Sequence, residues 1–225
     1  MTAEFTYDSP QEYPAVVHDR WGRFETVLVN DGQHFSLALR GNRFQGPWLD
    51  GLEPAEPIPE GHVRPPDLAD GGLASCVVEW RMPVEVTGAE AGTVDLGVRL
   101  LLGDPKPRGG VDSTGVELAL HLPTGTIGTV KAHGWMEDAL LDLQGQLAEG
   151  VHLQACITCA FSDYSPAGSG LIGTMACFRD SKDAYRAVRT KRDLFEVLPD
   201  SSGWVQETFL CDQYERRAPN TGYRG

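Results

Sequence analysis

Cys-Ile-Thr-Cys at residues 156–159 opens a region that continues through Cys177 to Cys211. Together these segments hold four of the chain's five cysteines. Two thiols on one tight turn, followed by two that come singly from further along the chain, match the ligand pattern of a tetrahedral zinc site. The sequence therefore predicts Zn²⁺ as a cofactor with the ligands Cys156, Cys159, Cys177 and Cys211. Such a site explains how a region is held together and leaves its biochemical role open.

A glycine-rich segment lies between the first two cysteines and Cys177. Gly168, Gly170 and Gly173 match the pattern G-x-G-x-x-G, which in a dinucleotide-binding domain directly follows a strand and opens a helix. Here a polar stretch ending at Pro166 precedes the glycines, and the next helix signal comes only at Asp180. We therefore interpret the segment as a flexible or phosphate-sized loop, and we predict no nucleotide cofactor.

A helix is predicted to begin just after Cys177. Asp180 has the position of an N-cap, Asp183 has that of the capping-box acid, and the helix is expected to continue to about Val188. The positive end of the helix dipole, together with Arg179, is expected to lower the pKa of the Cys177 thiol. A lowered pKa suits a metal ligand and a nucleophile equally well.

Basic side chains recur on this predicted helix. Lys182, Arg186 and Arg189 follow one another at intervals of four and three, with Arg179 just upstream. This basic stripe is consistent with binding of an anion. It is equally consistent with a charged face that meets solvent or the acidic first part of the chain.

The chain before the cysteine region has the pattern of short antiparallel strands. Apolar and polar residues alternate from Tyr13 to Arg40, across a turn signal at 30–32, and again from Cys76 to Leu122. The sequence predicts an α+β fold that is mostly β, with an antiparallel sandwich or open barrel followed by a helix and a small zinc-stabilised α/β module. Cys76 lies inside a predicted strand, and we interpret it as a buried core residue.

Three segments are predicted. Residues 1–134 form a β-rich domain in which 46–72 is a long Pro-rich loop that acts as a lid or a linker. Residues 135–150 form a connecting amphipathic helix, and residues 151–225 form the four-cysteine metal-binding module, with strands at 151–155 and 204–210. Apolar residues spaced by four, three and four positions indicate the apolar face of this helix. Its residues are Met136, Leu140, Leu143 and Leu147.

The acidic excess of the chain precedes the cysteine region. Residues 1–150 contain 23 acidic and 10 basic side chains, a balance of −13, whereas residues 151–225 contain 9 of each. An acidic surface repels nucleic acid, and no apolar run reaches the length of a membrane span. We expect a cytoplasmic protein that binds neither nucleic acid nor membranes. In a reducing cytosol, clustered thiols are more often metal ligands or catalytic groups than disulfides.

The motifs of the cysteine region resemble those of an uncharacterised bacterial family. They are the first cysteine pair with Phe-Ser-Asp-Tyr-Ser-Pro at 161–166, Cys-Phe-Arg at 177–179, Glu-Thr-Phe-Leu-Cys-Asp at 207–212 and Pro-Asn-Thr-Gly-Tyr-Arg-Gly at 219–225. The resemblance extends from about residue 156 to the end of the sequence and is loose before it. It implies that the four cysteines act as one unit, and it implies no activity.

Three functional hypotheses follow. The first is a zinc-stabilised binding or accessory protein with a structural four-thiolate site. The sequence identifies neither its protein or small-molecule partner nor whether it forms a homo-oligomer. The second is a metalloenzyme or cysteine-dependent enzyme that acts on a small anionic substrate near Cys177, Arg179 and Tyr164. The third, which we rank lowest, is a redox switch at the first cysteine pair. The sequence does not decide whether the protein is an enzyme. The polar residues considered as catalytic candidates are Asp163, Tyr164, Ser165, Arg179 and Glu207.

Overall fold

The computed structural model describes residues 10–32, 34–219 and 222–224. It contains a ten-stranded antiparallel sheet, a three-stranded sheet, a two-stranded sheet and a few helices. The strands are β1 (Gln11–Asp19), β2 (Gly22–Asn30), β3 (Phe35–Leu39), β4 (Asn42–Gly46), β5 (Glu53–Pro54), β6 (Asp67–Ala69), β7 (Gly72–Ala74), β8 (Cys76–Thr87), β9 (Gly92–Leu102), β10 (Thr114–Leu122), β11 (Gly125–Gly128), β12 (His152–Gln154), β13 (Ser162–Tyr164), β14 (Thr174–Cys177) and β15 (Gly203–Gln206). The helices are α1 (Met136–Gln146), α2 (Lys182–Arg186) and α3 (Lys191–Val197), with 3₁₀ turns at Leu49–Gly51, Cys156–Thr158 and Leu198–Asp200.

The large sheet follows one open path. Its strand order is β11-β10-β9-β8-β1-β2-β3-β4-β5, and β12 pairs with β8 beside this path. The predicted α+β, mostly β class is confirmed. Within the described residues the two ends of the path do not pair, so the sheet does not close into a barrel.

The alternation of buried and more exposed residues along the strands shows which face of the large sheet is buried. In β8 the even-numbered residues from Cys76 to Val86 are buried, and the odd-numbered residues are half-buried or exposed. The same parity holds along β9 and for the alternating part of β10. Because successive side chains of a strand point to opposite faces, one face carries the main core and the other faces solvent. Cys76 belongs to this core, and burial raises the pKa of its thiol to about 12, as expected for an inert core residue.

The predicted hairpin at 30–32 is present. β2 and β3 pair antiparallel, and the Asn30 side chain accepts a hydrogen bond of 2.9 Å from the Gly32 amide. The next hairpin, between β3 and β4, turns through Arg40 and Gly41, both with positive φ. Two residues of positive φ match the twist of antiparallel strands. Of these two positions, only position 41 carries a glycine in the sequence.

The Pro-rich segment 46–72 differs from the predicted loop. It contains the 3₁₀ turn Leu49–Gly51 and strands β5 and β6, and β6 pairs with β7. Leu49 and Leu52 are buried, and the Leu52 carbonyl accepts a 2.8 Å hydrogen bond from the Leu73 amide. The segment is therefore anchored to the core. Elements of two or three residues are too short to produce the periodicity from which the sequence could reveal them.

Helix α1 lies where its spacing predicts it, against the large sheet. It buries Met136, Ala139, Leu140 and Leu143, and its contacts are mainly with β10. In the region described, no helix is long and apolar enough to cross a lipid bilayer.

The helix predicted after Cys177 is shorter and begins later. α2 covers only Lys182–Arg186 and follows Ser181 rather than Asp180, whose amide instead donates to Ser202 Oγ at 3.1 Å. A second helix, α3, begins after Thr190, where Thr190 and Asp193 form a capping box. The sequence analysis did not predict α3. The new cap at Thr190 starts a separate helix instead of extending α2.

The strand predicted at 204–210 ends at Gln206. There the chain turns, and the Phe209 amide donates to the Gln206 carbonyl at 3.0 Å.

β13, β14 and β15 form the three-stranded sheet. Met175 and Val205 from this small sheet join the main core. On its other side Ala176 joins a second apolar cluster, where Phe178 and Tyr185 stack with 4.6 Å between ring centroids.

One buried ion pair holds the β3–β4 hairpin to β1. Arg40 Nε lies 3.0 Å from Asp19 Oδ2 and Arg40 Nη2 lies 2.6 Å from Asp19 Oδ1, and both side chains are less than one tenth exposed. Arg40→Met leaves this carboxylate buried without its partner, so we expect a loss of about 3 kcal/mol in the free energy of unfolding, measured by urea denaturation. The double variant Asp19→Asn/Arg40→Met should recover part of this loss.

The matched control for this pair is Arg23→Met, because Arg23 pairs with Glu25 at an exposed position. An exposed pair contributes at most about 1 kcal/mol. Equal losses for the Arg40 and Arg23 variants would contradict a stabilising role of the buried pair.

Candidate functional site

The first two cysteines lie at the two ends of one tight turn. Cys156 begins the 3₁₀ turn Cys156–Thr158, and the Cys159 amide donates to the Cys156 carbonyl at 3.0 Å. The Thr158 hydroxyl donates to the Leu153 carbonyl at 2.8 Å, which ties the turn to β12. The Ser162 hydroxyl also donates to the Cys156 carbonyl. Backbone hydrogen bonds thus fix the spacing of these two residues.

Cys177 and Cys211 reach the same turn from two other segments. Cys177 ends β14 opposite Ser162 of β13. The chain that leads to Cys211 runs along the turn, since the Cys156 amide donates to the Phe209 carbonyl at 2.7 Å. Beyond Cys211, the Ala160 amide donates to the Glu215 carbonyl at 2.7 Å. Two separate segments therefore border the Cys156–Thr158 turn.

The four thiols share one electrostatic environment. All five cysteines of the chain are free thiols, and of the four only Cys211 is more than slightly exposed. Burial raises the pKa of Cys156 well above its usual range, and the neighbouring thiols of Cys159, Cys177 and Cys211 raise it further. The four predicted ligands are thus near enough to influence one another electrostatically. Among the residues that the structure describes, however, no three or more His, Cys, Asp or Glu side chains adopt the arrangement of a metal site.

Cys177 does not have the lowered pKa that the sequence predicts. Burial raises the pKa of this thiol, and the backbone amide and charge of Arg179 only partly oppose that effect. The predicted helix dipole acts weakly, because α2 begins five residues later and has only five residues. Cys177 also belongs to the main core. Its environment therefore favours the neutral thiol.

Three of the predicted catalytic candidates lie close together beside the cysteines. Glu207 Oε1 accepts hydrogen bonds from the Tyr164 hydroxyl at 3.2 Å and from the Gly173 amide at 3.0 Å. Asp163 precedes Tyr164 in β13 and is also buried. Arg179 pairs with Asp180 at 3.9 Å. Ser165 Oγ accepts a hydrogen bond from the Ala167 amide in the exposed turn that follows.

The end of the chain contributes an arginine that the sequence analysis missed. The Arg224 guanidinium lies 5.4 Å from the centre of the Tyr164 ring and 2.5 Å from Glu137 Oε1 of α1. It also donates to the Ile157 carbonyl at 3.3 Å. Gly222 packs against Tyr185, because a Cβ at this glycine would lie 2.6 Å from the ring. Gly222 and Arg224 of the tail motif thus lie over the site, and Asn220, Thr221 and Gly225 of the motif lie outside the described residues.

Asp163 is held by a second set of hydrogen bonds. The Tyr185 hydroxyl donates to Asp163 Oδ2 at 2.9 Å, and Arg217 donates to the Ser162 carbonyl at 2.6 Å. Burial raises the pKa of Asp163, and the charge of Arg224 opposes that rise. Asp163, Tyr164, Glu207 and Arg224 therefore form one polar network, called here the tail network.

Glu207 is the most strongly perturbed acid of the tail network. Complete burial raises its pKa to about 7, although the Gly173 amide and the Tyr164 hydroxyl stabilise the carboxylate. Burial likewise raises the pKa of Tyr164 above its usual range, and Glu207 adds to this effect. A carboxyl group with a pKa near neutrality can gain or lose a proton under physiological conditions.

The tail network contains unused hydrogen-bonding capacity. Among the described residues, two guanidinium nitrogens of Arg224, Nε and Nη1, are buried without a hydrogen-bond partner, as are both polar atoms of the amide of Gln206, the residue before Glu207. Gln206 is only 2% exposed. Buried polar groups in folded proteins are nearly always paired, so these unpaired atoms are unusual.

The glycine loop has a packing role. The Trp48 side chain fills the space that a Cβ at Gly170 or Gly173 would occupy. The Leu171 amide donates to Asp50 Oδ1 at 2.9 Å, and the Leu49 amide donates to the Ile172 carbonyl at 3.2 Å. The loop is thus fixed to the 3₁₀ turn Leu49–Gly51 by contacts that need small residues.

The basic stripe makes contacts within the protein. Lys182 Nζ and the Arg186 guanidinium each lie 4.8 Å from the centre of the Phe161 ring, and Arg186 pairs with Glu215 at 3.2 Å. Arg189 donates to the carbonyls of Arg186 and Val188. These contacts favour the interpretation of the stripe as a packed and solvated face.

Comparison with known proteins identifies one related family. A model described as a family of unknown function, DUF6304, matches residues 11–162. The match includes the strands of the large sheet, helix α1 and the first two cysteines, and it ends before Cys177 and Cys211. No curated protein and no solved structure matches the chain.

The raised pKa of Glu207 predicts a pH dependence of stability. The ordinary pKa of a glutamate is 4.5, and that of folded Glu207 is about 7. A group whose pKa rises on folding stabilises the folded state fully below its unfolded pKa, and this contribution is lost as the pH rises through its folded pKa. We therefore expect the free energy of unfolding to fall more steeply from about pH 5 to pH 8 in the wild type than in Glu207→Gln.

Urea denaturation at several pH values measures this difference. The amide of Glu207→Gln keeps an acceptor for Tyr164 and Gly173, so the variant removes the titration with little change of shape. Glu149→Gln is the control, because Glu149 is exposed. Equal slopes for the wild type and Glu207→Gln would show that Glu207 does not titrate in this range.

Proposed function

The chain belongs to DUF6304, a family of unknown function, and we propose that the protein is a zinc-stabilised binding protein with a structural four-thiolate site. The observation that supports this proposal is that four free thiols, from three segments, influence one another electrostatically beside the Cys156–Thr158 turn. A site with four thiolate ligands has no open position, and such sites are structural.

The donor set fits Zn²⁺ in residue type, although the described side chains do not adopt the arrangement of a metal site. Four cysteines supply a complete tetrahedral shell without a histidine, and the backbone hydrogen bond across the Cys156–Thr158 turn holds the first two at a fixed spacing. Bound zinc would supply the positive charge that makes thiolates stable in a buried site. The burial that raises the pKa of Cys156 and Cys177 in the metal-free thiols is consistent with this requirement.

The residues around the thiols suggest what the metal would hold in place. β12 connects the turn to β8 of the large sheet, β14 supplies Cys177, and the segment after β15 supplies Glu207 and Cys211. Linking these segments would fix the tail network against the large sheet. Because the five cysteines are free, we also propose a reducing compartment, the cytoplasm.

Metal analysis tests the zinc site. We expect about one zinc ion per chain in purified protein, because one set of four thiols is available. Alanine variants of each of the four cysteines should lose zinc and melt at lower temperature. Cys76→Ala is the matched control, since this cysteine is buried in the core of the large sheet and should leave the zinc content unchanged. Protein that stays fully folded after its metal is removed would contradict the structural role.

A second candidate is an enzyme that acts on a small anionic substrate. It is favoured by the pKa of about 7 at Glu207, which lies close enough to Cys156 to raise the pKa of that thiol. In this version three cysteines hold the metal and the fourth position binds water or substrate.

Cobalt substitution distinguishes the two candidates. A closed site with four thiolates should give visible absorption bands that do not change when azide is added, because no coordination position is free. We expect this result for the wild-type protein. Bands that shift with azide in the wild type would favour the enzyme.

A further inference from the structure

The outer face of the large sheet carries a trough that the cysteine region does not use. It encloses about 720 Å³ across β1, β8, β9 and β10. Its floor is a row of small residues, since Gly97 pairs with Ala119 and Ala119 pairs with Gly128 in neighbouring strands. A Cβ at Gly97 would lie 3.4 Å from His121 Nε2, so close packing does not require a glycine. Glycine inside a strand weakens it, and often marks a place where a ligand approaches the backbone.

Two rows of polar residues flank this floor. On one side Arg99 lies between Glu79 and Glu117 and pairs with both, at 2.8 Å from Glu79 Oε1. On the other side lies His121, whose Nδ1 is 3.0 Å from Thr126 Oγ1. Its partner in strand register, Asp95, does not line the trough. Rows on one face of a strand are about 7 Å apart. The walls are therefore separated by about 14 Å, which is wide enough for a flat ring system.

One end of the trough is formed by a fixed loop. Val130 and Lys131 line it, and the Val130 amide donates to Asp142 Oδ2 of α1 at 3.2 Å. The same oxygen lies 2.9 Å from His133 Nε2. The His133 amide also bonds to the Val116 carbonyl of β10 at 2.9 Å. These contacts hold the end of the trough in place without a ligand.

The charges in the trough favour an anion. Glu79 and Glu117 are both paired with Arg99. Within the described residues, the two other cations of the lining, Arg81 and Lys131, make no ion pair or hydrogen bond. The lining thus has three cations against two carboxylates, whereas residues 1–150 have a balance of −13. A local excess of positive charge on an acidic domain is complementary to a negatively charged ligand.

We propose that this trough binds a small amphipathic anion with a flat apolar body and one carboxylate or phosphate group. The apolar body lies on Gly97 and Ala119, between Val16 and Val130, and the anionic group pairs with Arg81 or Lys131. The volume is in the range of small-molecule sites, which enclose roughly 300–1,000 Å³. This inference rests on the binding role proposed above and names the class of ligand for it.

Calorimetric titration with four naphthalene compounds tests the proposal. The two anions, 2-naphthoate and 2-naphthyl phosphate, should bind about tenfold more tightly than neutral 2-naphthol, because a charge-assisted hydrogen bond is added. The cation 2-naphthylmethylammonium should bind more weakly than 2-naphthol. The relative affinity of the two anions distinguishes a carboxylate ligand from a phosphate ligand. Zinc content is measured on the same samples, so that loss of the metal site is not mistaken for an absent ligand site.

Substitutions locate the binding. Gly97→Val places a side chain on the floor and should weaken binding of the tighter anion at least about tenfold. Gly134→Val is its control, because a Cβ at Gly134 meets open space. Arg81→Gln and Lys131→Gln should each weaken the anions about fivefold and leave 2-naphthol unchanged. Arg108→Gln, at an exposed arginine outside the trough, should change neither.

Three results would overturn the proposal. The first is absence of binding of both anions at about 1 mM by zinc-loaded protein. The second is equal affinity for the anion, the neutral compound and the cation. The third is a dimeric mass in light scattering for the wild type together with a monomeric mass for Gly97→Val. The trough would then be an interface between two copies of the chain.

Discussion

The backbone pairing of β8 is the constraint on which the rest of the structure depends. One edge of this strand pairs with β9 from Cys76 to Val86, and the other edge is shared by β1, at 77–80, and β12, at 85–87. The strand therefore joins the N-terminal hairpins, the β9–β11 meander and the cysteine region through one ladder. Because β12 leads directly into the Cys156–Thr158 turn, the position of the thiols and the tail network is set by the same strand that fixes the faces of the large sheet.

The two faces of that sheet have opposite physical roles. The inner face buries the even-numbered residues of β8 and β9, and α1, Leu171 and Cys177 pack in the same core. The outer face leaves the alternate positions to solvent, and there ion pairs replace apolar packing. A shift of β8 by one residue would exchange these two sets of side chains. The thiol cluster and the outer trough are therefore both consequences of one register, although they share no residue.

Sequence patterns predicted the parts of this structure that depend on local repetition. The strands from Gln11 to Leu122 and helix α1 follow periods of two and 3.6, and the burial of Cys76 follows from its place in a strand. The sequence analysis missed the short elements in 46–72, and it placed the start of α2 too early and the end of β15 too late. Each of these features is fixed by contacts with distant residues. The tail network shows the same limit most clearly, since Glu207, Gly173 and Arg224 have no spacing that relates them. The raised pKa of Cys177 comes from tertiary burial, which outweighs the local helix dipole on which the opposite prediction was based.

Charge distribution connects the acidic surface with the trough. Residues 1–150, with an excess of 13 negative charges, repel small anions at long range, and salt reduces this effect beyond roughly 10 Å. A simple anion therefore gains little from Arg81 and Lys131, since it loses hydration and crosses an unfavourable field to reach them. An anion with an apolar body gains in addition from covering the floor at Gly97 and Ala119, and this gain does not depend on the field. The acidic surroundings and the cationic trough together thus select for amphipathic character, because neither the charge nor the apolar part is sufficient alone.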